Sequence, residues 1–288
     1  MEKISFIGLG HMGLPIAEGL KNVGNDILAF DIFPPARQSF SGKTTSNLCE
    51  LAEHANIIIT MLPSGMELLS IYAQKDFTQK LAKNTLLIDC STIGPLAAQQ
   101  FHNLPFNTID APVSGGVIAA QAQQLTYMLG GIEPYLSVAE RLLTPISKKI
   151  LRTGGPGSGQ IAKTCNNLVL ANTMIAISEA FLLAEKLGLE AQALYEVLKC
   201  SSGNCWVVEK YLPIPNIARD VPANNNYTAG FSNKMMLKDL LIAQAAAKSK
   251  DLSLSLTAQT TNLYALLQTP EDANKDFSYI FDFLKHHQ

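Results

Sequence analysis

The sequence predicts an α/β domain with a doubly wound sheet over residues 1–160, followed by an all-helical domain over residues 161–288. Two observations support the first domain. Six short apolar runs alternate with helical patterns, and a glycine-rich turn follows the first run. A third observation supports the second domain: after Gly159 the strand pattern stops and only helical spacings remain.

The predicted strands are continuously apolar rather than alternating, which is typical of a parallel sheet with helices on both faces. They cover residues 4–7, 27–30, 57–62, 85–89, 106–110 and 126–130, and the first intervening helix covers 14–23. In the second domain, helices are predicted at 163–187, 191–199, 232–249, 253–267 and 277–286, with Ser232 as an N-cap. The Pro- and Asn-rich connection between Gly203 and Gly230 is long, so we expect it to be functional or to contain short turns.

The charge balance excludes several classes of partner. The chain has 22 basic and 24 acidic side chains, and 47% of its residues are hydrophobic. A chain without a basic surface is not expected to bind nucleic acid. The one long apolar stretch, after Lys163, contains Glu179, Glu185 and Lys186, which argues against a membrane span.

The five cysteines fit neither a disulfide framework nor a zinc site, because their number is odd and no C-x-x-C occurs. No metal is therefore expected. An apolar strand already begins at Ile4, which argues against a signal or transit peptide. Together these features predict a reducing, cytoplasmic setting.

A dinucleotide site is predicted at the first glycine turn. The turn reads Gly8, Leu9, Gly10, His11, Met12, Gly13. It follows a strand and opens a helix, and Asp31 closes the second strand, which is the arrangement of a Rossmann-type domain. Gly8 makes the turn, Gly10 lets a pyrophosphate approach the backbone, and Gly13 lets the helix pack on the sheet. The amides at the helix start favour phosphate.

Asp31 indicates which nucleotide is bound. Its carboxylate can accept hydrogen bonds from the adenine-ribose hydroxyls and would repel a 2′-phosphate. No Lys or Arg follows it before Arg37. NAD is therefore predicted in preference to NADP.

Three further turns follow predicted strands, at the sheet edge where ligands of such folds bind. They are Leu62-Pro63-Ser64, Ser91-Thr92 and the segment from Asp110 to Gly116. In the last of these, Ser114, Gly115 and Gly116 offer a hydroxyl and open amides, which suit a carboxylate. Each turn alone could be an ordinary strand-to-helix connection.

A lysine stands at the start of the most apolar helix. Lysine is almost never fully buried without a reason, and Lys163 shares a helix face with Asn167. A partly desolvated lysine has a lowered pKa and can exchange protons near neutral pH. The alternative is a lysine whose stem reaches back to water, and this segment alone does not decide between them.

These motifs together resemble the β-hydroxyacid dehydrogenase family. Four occur in order: G-x-G-x-x-G, D-x-P-V-S-G-G, G-x-G-x-x-x-K-x-x-N-N and the triplet Lys238-Asp239-Leu240. Segments 201–206, 221–225 and 274–278 are most similar to members that oxidise 3-hydroxyisobutyrate with NAD in valine catabolism. The pair Asn166-Asn167 differs from the His-Asn of enzymes acting on 6-phosphogluconate. Relatives often carry Asn where this chain has Glu67.

The resemblance implies a role for each matching residue. NAD would be held by Gly8, Gly10, His11, Met12, Gly13 and Asp31, with Leu62, Pro63 and Thr92 toward the nicotinamide and Lys238 near the cofactor. Ser114, Gly115 and Gly116 would bind the substrate carboxylate. Lys163 would transfer the proton and Asn167 would orient the hydroxyacid. Trp206 and Phe231 would wall the pocket, although either could equally be core.

Other functions are compatible with the same fold. A tartronate semialdehyde reductase, or another enzyme acting on short β-hydroxyacids, would keep these motifs. An NAD-binding module without catalysis would be free to lose the lysine, yet Lys163, Asn167 and Lys238 are all present. The resemblance also implies assembly through the helical domain, as a homodimer or homotetramer.

Overall fold

The computed structural model describes residues 1–287, which form two compact units, Met1–Thr164 and 165–287. The sequence placed the division between residues 160 and 161. Both positions fall inside one continuous helix, Ser158–Lys186, so the chain passes from one unit to the next without a linker. Each unit has its own apolar core.

The first unit is built on a nine-stranded sheet in the order β3-β2-β1-β4-β5-β6-β8-β7, with β9 also paired to β8. The strands are β1 Lys3–Ile7, β2 Asp26–Phe30, β3 Lys43–Thr45, β4 Ile57–Thr60, β5 Leu86–Asp89, β6 Asn107–Asp110, β7 Val113–Ser114, β8 Leu125–Gly130 and β9 Ser147–Gly154. The order reverses between β1 and β4, where doubly wound sheets bind their ligands.

The sheet is parallel, as expected, except at one edge. Strands β3, β2, β1, β4, β5 and β6 are parallel, but β8 runs antiparallel to β6 and to β7. Parallel strands need a crossover connection of about a dozen residues or more, and only residues 115–124 separate Ser114, which ends β7, from Leu125, which begins β8. Strand β9 was missed because its sequence, SKKILRTG, is largely polar and its side chains are mostly exposed.

Helices cover both faces of this sheet. They are α1 Gly13–Asn22, α2 Pro34–Ser39, α3 Leu48–His54, α4 Gly65–Tyr72, α5 Lys75–Thr78, α6 Gly94–His102, α7 Gly116–Gln121 and α8 Tyr135–Leu143, with a 3-10 turn at Thr144–Ile146. Neighbouring strand residues enter opposite cores, as the two-residue period requires. Phe6 packs in the core with Ile16 and Leu20, whereas Ile7 packs in the core with Leu51 and Leu68.

The second unit is helical, as predicted. Its elements are α9 Ser158–Lys186, which begins in the first unit, α10 Ala191–Cys200, α11 Trp206–Lys210, α12 Asn233–Lys248, α13 Ser255–Leu266 and α14 Ile280–His287, with 3-10 turns at Pro222–Asn225 and Phe277–Tyr279. Ser232 caps α12 as expected, since its side chain accepts from the Met235 N–H. The long connection contains α11 and the first of these 3-10 turns.

Helix α9 is long and apolar enough to cross a membrane by length and composition, with a mean hydropathy of 1.6 in its most apolar window. Half of that window is buried inside the protein. Buried positions such as Ala171, Met174 and Phe181 belong to the core of the second unit. A central core helix has the same composition.

Candidate functional site

In the glycine turn after β1, two glycines are required by close packing within the protein and one faces open space. Gly8 has a φ of +98°, and a Cβ there would lie 2.2 Å from the Met61 carbonyl oxygen. A Cβ on Gly13 would lie 1.9 Å from the Gly8 carbonyl oxygen, so α1 packs directly on the turn. A Cβ on Gly10 would meet nothing within 4 Å. Only Gly10 is therefore open on its outer side, where the motif needs room for a ligand.

The turn fits a pyrophosphate. Gly10 and His11 are exposed, Met12 is half-buried, and α1 begins at Gly13. The first amides of a helix lack intrahelical acceptors and attract anions. A glycine with open space ahead of these amides is what a dinucleotide requires.

Asp31 is fixed at the end of β2 by two backbone amides. Its Oδ2 accepts from the Leu9 N–H and its Oδ1 from the Phe33 N–H, both at 2.8 Å. The carboxylate is thus tied to the glycine turn itself. The Arg37 guanidinium donates to the backbone carbonyl oxygen of Asp31 at 2.5 Å, a contact that the sequence spacing did not predict.

The turns after β4 and β5 are joined by Ser91. Its Oγ accepts from the Leu62 N–H at 2.8 Å and donates to Asp89 Oδ1 at 2.6 Å. Pro63 and Thr92 occupy the adjacent positions. These three predicted site residues, Leu62, Pro63 and Thr92, therefore lie on two turns held together by one hydroxyl.

Asp89 lies beneath these turns and is fully buried. Burial raises its pKa to about 7, although the hydroxyls of Ser91 and Thr60 donate to it and oppose that shift. Only Oδ1 receives these bonds, while Oδ2 has no hydrogen-bond partner.

The carboxylate segment lies at the short strand β7. Ser114 ends that strand, Gly115 caps α7 with a φ of +138°, and Gly116 has a φ of +72°. Side chains are strained at such angles, which explains the paired glycines. Gly115 is exposed and Ser114 and Gly116 are partly exposed, so all three can meet a ligand.

The start of α9 is held by Asp110, a buried residue that the sequence did not single out for this role. Its Oδ1 accepts from the Gly157 N–H and its Oδ2 from the Gln160 N–H, both at 2.8 Å. A Cβ on Gly159 would lie 2.3 Å from the Met128 carbonyl oxygen. The G-x-G pattern before Lys163 therefore serves close packing of the helix on the sheet.

His102 supports the same carboxylate. Its Nε2 lies 2.9 Å from Asp110 Oδ1, and its Nδ1 lies 2.7 Å from the Thr108 hydroxyl. No pattern in the sequence pointed to this histidine, because it ends α6 and meets Asp110, at the end of β6, only in the folded unit.

Lys163 follows on the second turn of α9 and is only 8% exposed, so the alternative in which its stem reaches bulk water is disfavoured. Asn167 lies one turn later on the same helix and is buried. Its side-chain amide donates to Asp239 Oδ2 on α12 and accepts from Asn166 at 3.0 Å. Lys238 Nζ lies 3.1 Å from the other oxygen of Asp239.

The two aromatic candidates of the second unit belong to one cluster. The Trp206 ring stacks on Tyr211 at a centroid distance of 5.1 Å, and Trp206 itself is half exposed. Phe231 is partly buried, and its N–H donates to Asp276 Oδ2, which also accepts from the Tyr211 hydroxyl. The side chain of Phe231 is therefore more buried than that of Trp206.

The structure gathers the predicted residues in two groups. In the first unit, Asp31 is bonded to the glycine turn, and Leu62 is bonded to the turn that carries Thr92. In the second unit, Asn167, Asp239 and Lys238 form one polar group. Glu67, a departure from the family pattern, bonds the Ser64 hydroxyl at the start of α4. Among residues 1–287, no cluster of three or more His, Cys, Asp or Glu is placed to hold a metal.

Comparison with known families covers both units. Residues 3–155 match the NAD binding domain of 6-phosphogluconate dehydrogenase, and residues 157–284 match the NAD-binding domain of NADP-dependent 3-hydroxyisobutyrate dehydrogenase. The mitochondrial 3-hydroxyisobutyrate dehydrogenase of Bos taurus is 38% identical, over 98% of this chain and 86% of the relative. The chain belongs to the β-hydroxyacid dehydrogenase family. It is therefore an oxidoreductase that binds a nicotinamide cofactor.

Solved structures with the β-hydroxyacid dehydrogenase fold are similar to this protein over nearly its whole length. The 3-hydroxyisobutyrate dehydrogenase of Mycobacterium tuberculosis, solved with L-serine, has a TM-score of 0.94 and 39% identity, over 99% of both chains. Psf3, solved with NADP+, has a TM-score of 0.83 at 20% identity, over 98% of this chain and 99% of that one, and shows the fold alone. The predicted Rossmann-type domain followed by a helical domain is confirmed.

Proposed function

We propose that this β-hydroxyacid dehydrogenase oxidises 3-hydroxyisobutyrate to methylmalonate semialdehyde with NAD, a step of valine catabolism. The observation that carries the proposal is the buried amine of Lys163, which lies one helical turn before Asn167. A buried lysine on the turn before a buried amide suits proton exchange with a hydroxyl group.

The substrate class is supported by two relatives. Proteins 38% and 39% identical to this chain carry the name 3-hydroxyisobutyrate dehydrogenase. The Mycobacterium tuberculosis structure contains L-serine. L-serine and 3-hydroxyisobutyrate share a primary alcohol β to a carboxylate and differ at carbon 2, which bears an amino group in one and a methyl group in the other.

The chain's own residues have separate tasks in the proposed reaction. Ser114, Gly115 and Gly116 bind the carboxylate, and Asn167 orients the hydroxyacid. The amine of Lys163, in its neutral form, takes the hydroxyl proton as the carbon–oxygen double bond forms. When bound, the nicotinamide accepts the hydride from the alcohol carbon. In the reverse direction the Lys163 ammonium returns the proton to the oxygen.

NAD is favoured by the position of Asp31. Two backbone amides, one of them in the glycine turn, hold its carboxylate. In Rossmann-type domains an acidic residue at this position accepts from the ribose hydroxyls, and its charge would repel a 2′-phosphate. Gly8, Gly10 and Gly13, with the amides of His11 and Met12, would hold the pyrophosphate. Leu62, Pro63, Thr92 and Lys238 would lie toward the nicotinamide.

The substrate panel is the direct test. Purified protein is assayed with 3-hydroxyisobutyrate, L-serine, 3-hydroxypropionate and glycerate, each with NAD and NADP. The reverse reaction is assayed with tartronate semialdehyde and the reduced cofactors, NADH and NADPH. We expect the highest kcat/KM for 3-hydroxyisobutyrate with NAD. A higher value for tartronate semialdehyde would favour the reductase alternative. No turnover of any substrate, with NAD still bound, would favour a binding module without catalysis.

We also propose a homo-oligomer, dimeric or tetrameric, in a reducing, cytoplasmic setting. Exposed apolar side chains in the second unit support assembly; they include Val169, Leu183, Leu187 and Val197. All five cysteines are free thiols, which supports the reducing setting. Light scattering of the purified protein tests the assembly: a monomeric mass at micromolar concentration would contradict it.

A further inference from the structure

Gln160 is a fully buried polar side chain that the proposed reaction does not use. Its Oε1 accepts from the N–H groups of Ile93 and Gly94, each at 3.0 Å, and its Nε2 donates to the Ser91 carbonyl oxygen at 2.7 Å. Both ends of the amide are thus bonded to the backbone of residues 91–94. Removing such a side chain would leave buried backbone groups without partners.

The segment that Gln160 holds contains a predicted site residue. Thr92 lies between the carbonyl and the amides that Gln160 bonds. The Ser91 hydroxyl accepts in turn from the Leu62 N–H at 2.8 Å. One glutamine is therefore bonded directly to the turn after β5 and, through Ser91, linked to the turn after β4.

The same residue is fixed on its helix. The Gln160 N–H donates to Asp110 Oδ2 at 2.8 Å, and Lys163 lies three residues later, on the same helix face. The first turn of α9 is held by Asp110 through the Gln160 backbone and by residues 91–94 through its side chain. A rotation of this turn would break both sets of bonds.

We propose that Gln160 is a positioning residue, which sets the placement of the Lys163 amine relative to the turn that contains Thr92. The inference rests on the proposed function, because it assumes that Lys163 transfers the proton to and from substrate bound beside that turn. A misplacement of about 1 Å can cost about 10²-fold in rate.

The test compares Gln160→Met with Gln99→Met, a matched change at an exposed position of α6. With 3-hydroxyisobutyrate and NAD, we expect Gln160→Met to lower kcat about 10²-fold while the dissociation constant for NAD stays within about twofold. Hydrogen exchange by mass spectrometry should show faster exchange in residues 91–97. The control should match wild type in all three measurements.

Gln160→Glu is the conservative variant, since a carboxylate can still accept from the Ile93 and Gly94 amides. We expect it to restore slow exchange in residues 91–97 and to recover at least one tenth of the wild-type kcat. If Gln160→Met does not fold, Gln160→Glu against Gln99→Glu carries the test: the lost bond to the Ser91 carbonyl should lower kcat about three- to tenfold, with NAD affinity unchanged.

Two results would overturn the inference: a kcat of Gln160→Met within twofold of its control, or a loss of NAD affinity in proportion to the loss of kcat. The second would mean that Gln160 only maintains the cofactor site. The wild-type assay separates this inference from the proposed function. No wild-type turnover of 3-hydroxyisobutyrate would contradict the proposed function, whereas normal wild-type turnover with an unaffected variant would contradict only the role of Gln160.

Discussion

The side-chain amide of Asn167 donates a hydrogen bond to Asp239, joining helices α9 and α12 in the second unit. Both residues are buried, and Asp239 is also 3.1 Å from Lys238 Nζ. The triplet Lys238-Asp239-Leu240 thus contains a residue that orients a proposed substrate-binding amide. The sequence motif marked the triplet without showing which of its members contacts Asn167.

Asp239→Ala should therefore reduce activity through Asn167. Loss of a buried hydrogen bond to a charged group costs about 1–3 kcal/mol, so we expect kcat/KM for the hydroxyacid to fall about 10- to 100-fold. Asp239→Asn keeps an acceptor oxygen and should lose less. Steady-state kinetics of both variants measure this. The control is Asp272→Ala, which removes another acid–lysine pair of the second unit; equal losses in control and test would contradict the assignment.

Lys163→Ala tests the proton transfer itself. General acid–base catalysis contributes about 10²–10⁴-fold, so turnover should fall by that factor or more while NAD binding, measured by titration calorimetry, is retained. Lys148→Ala, at an exposed position of β9, is the matched control. Near-normal turnover in Lys163→Ala would remove this amine from the mechanism.

The sequence predicted the architecture well because its signals were local. Continuous apolar runs marked β1, β2, β4, β5, β6 and β8, and the glycine turn with Asp31 marked the cofactor site. Strand β9 escaped because it is polar and exposed, and its place depends on pairing with β8 rather than on its own pattern. The antiparallel edge likewise follows from a connection too short for a crossover.

The supporting residues of the site could not be predicted in the same way. Each of them acts through a contact that exists only in the folded protein. Asp110 bonds Gly157, 47 positions away, and Gln160 bonds Ser91, 69 positions away. His102, on a helix, bonds Asp110, on a strand. A single sequence contains no signal for such pairs. Its motif did include Gln160, which stands between Gly159 and Lys163, but the pattern could not show that this side chain reaches residues 91–94.

Ser114→Ala should change substrate binding more than chemistry. The substrate carboxylate is expected to be bound equally in the ground state and the transition state. Losing the contact from the Ser114 hydroxyl should therefore raise KM, with a smaller effect on kcat. We expect KM for 3-hydroxyisobutyrate to rise about tenfold, with kcat within about threefold, from initial-rate measurements. Ser39→Ala, at an exposed position of α2, should leave both constants unchanged. A fall in kcat without a change in KM would contradict a carboxylate-binding role.

Asp31 should control the choice between NAD and NADP. Removing its charge in Asp31→Asn relieves the repulsion of a 2′-phosphate, and the Arg37 guanidinium, already bonded to the Asp31 carbonyl, can then attract that phosphate. We expect the NADP-to-NAD ratio of kcat/KM to rise about tenfold or more in both Asp31→Asn and Asp31→Ala. The side-chain oxygen of the Asn variant can still accept from one of the two amides, Leu9 or Phe33, so this variant should be more stable than Asp31→Ala. An unchanged ratio in both variants would contradict the assignment of Asp31.

The buried carboxyl of Asp89 should make stability depend on pH. Burial raises its pKa from 3.8 to about 7, so between those values the folded protein keeps a proton that the unfolded chain has lost. Since stability rises with pH only where the unfolded state binds more protons, this group makes stability fall as pH rises from about 4 to about 7. Asn at this position cannot titrate, and the contribution disappears.

The test is urea unfolding of wild type and Asp89→Asn at several pH values. The amide introduces its own constant change in stability, so the quantity of interest is how the difference between the two proteins varies with pH. We expect the free energy of unfolding of Asp89→Asn, relative to wild type, to increase from pH 4 to pH 7 by at most about 4 kcal/mol and to level off above that. The buried Asp276, whose pKa burial also raises, is present in both proteins and cancels. Parallel curves across this range would show that Asp89 is already ionised in the folded protein at pH 4.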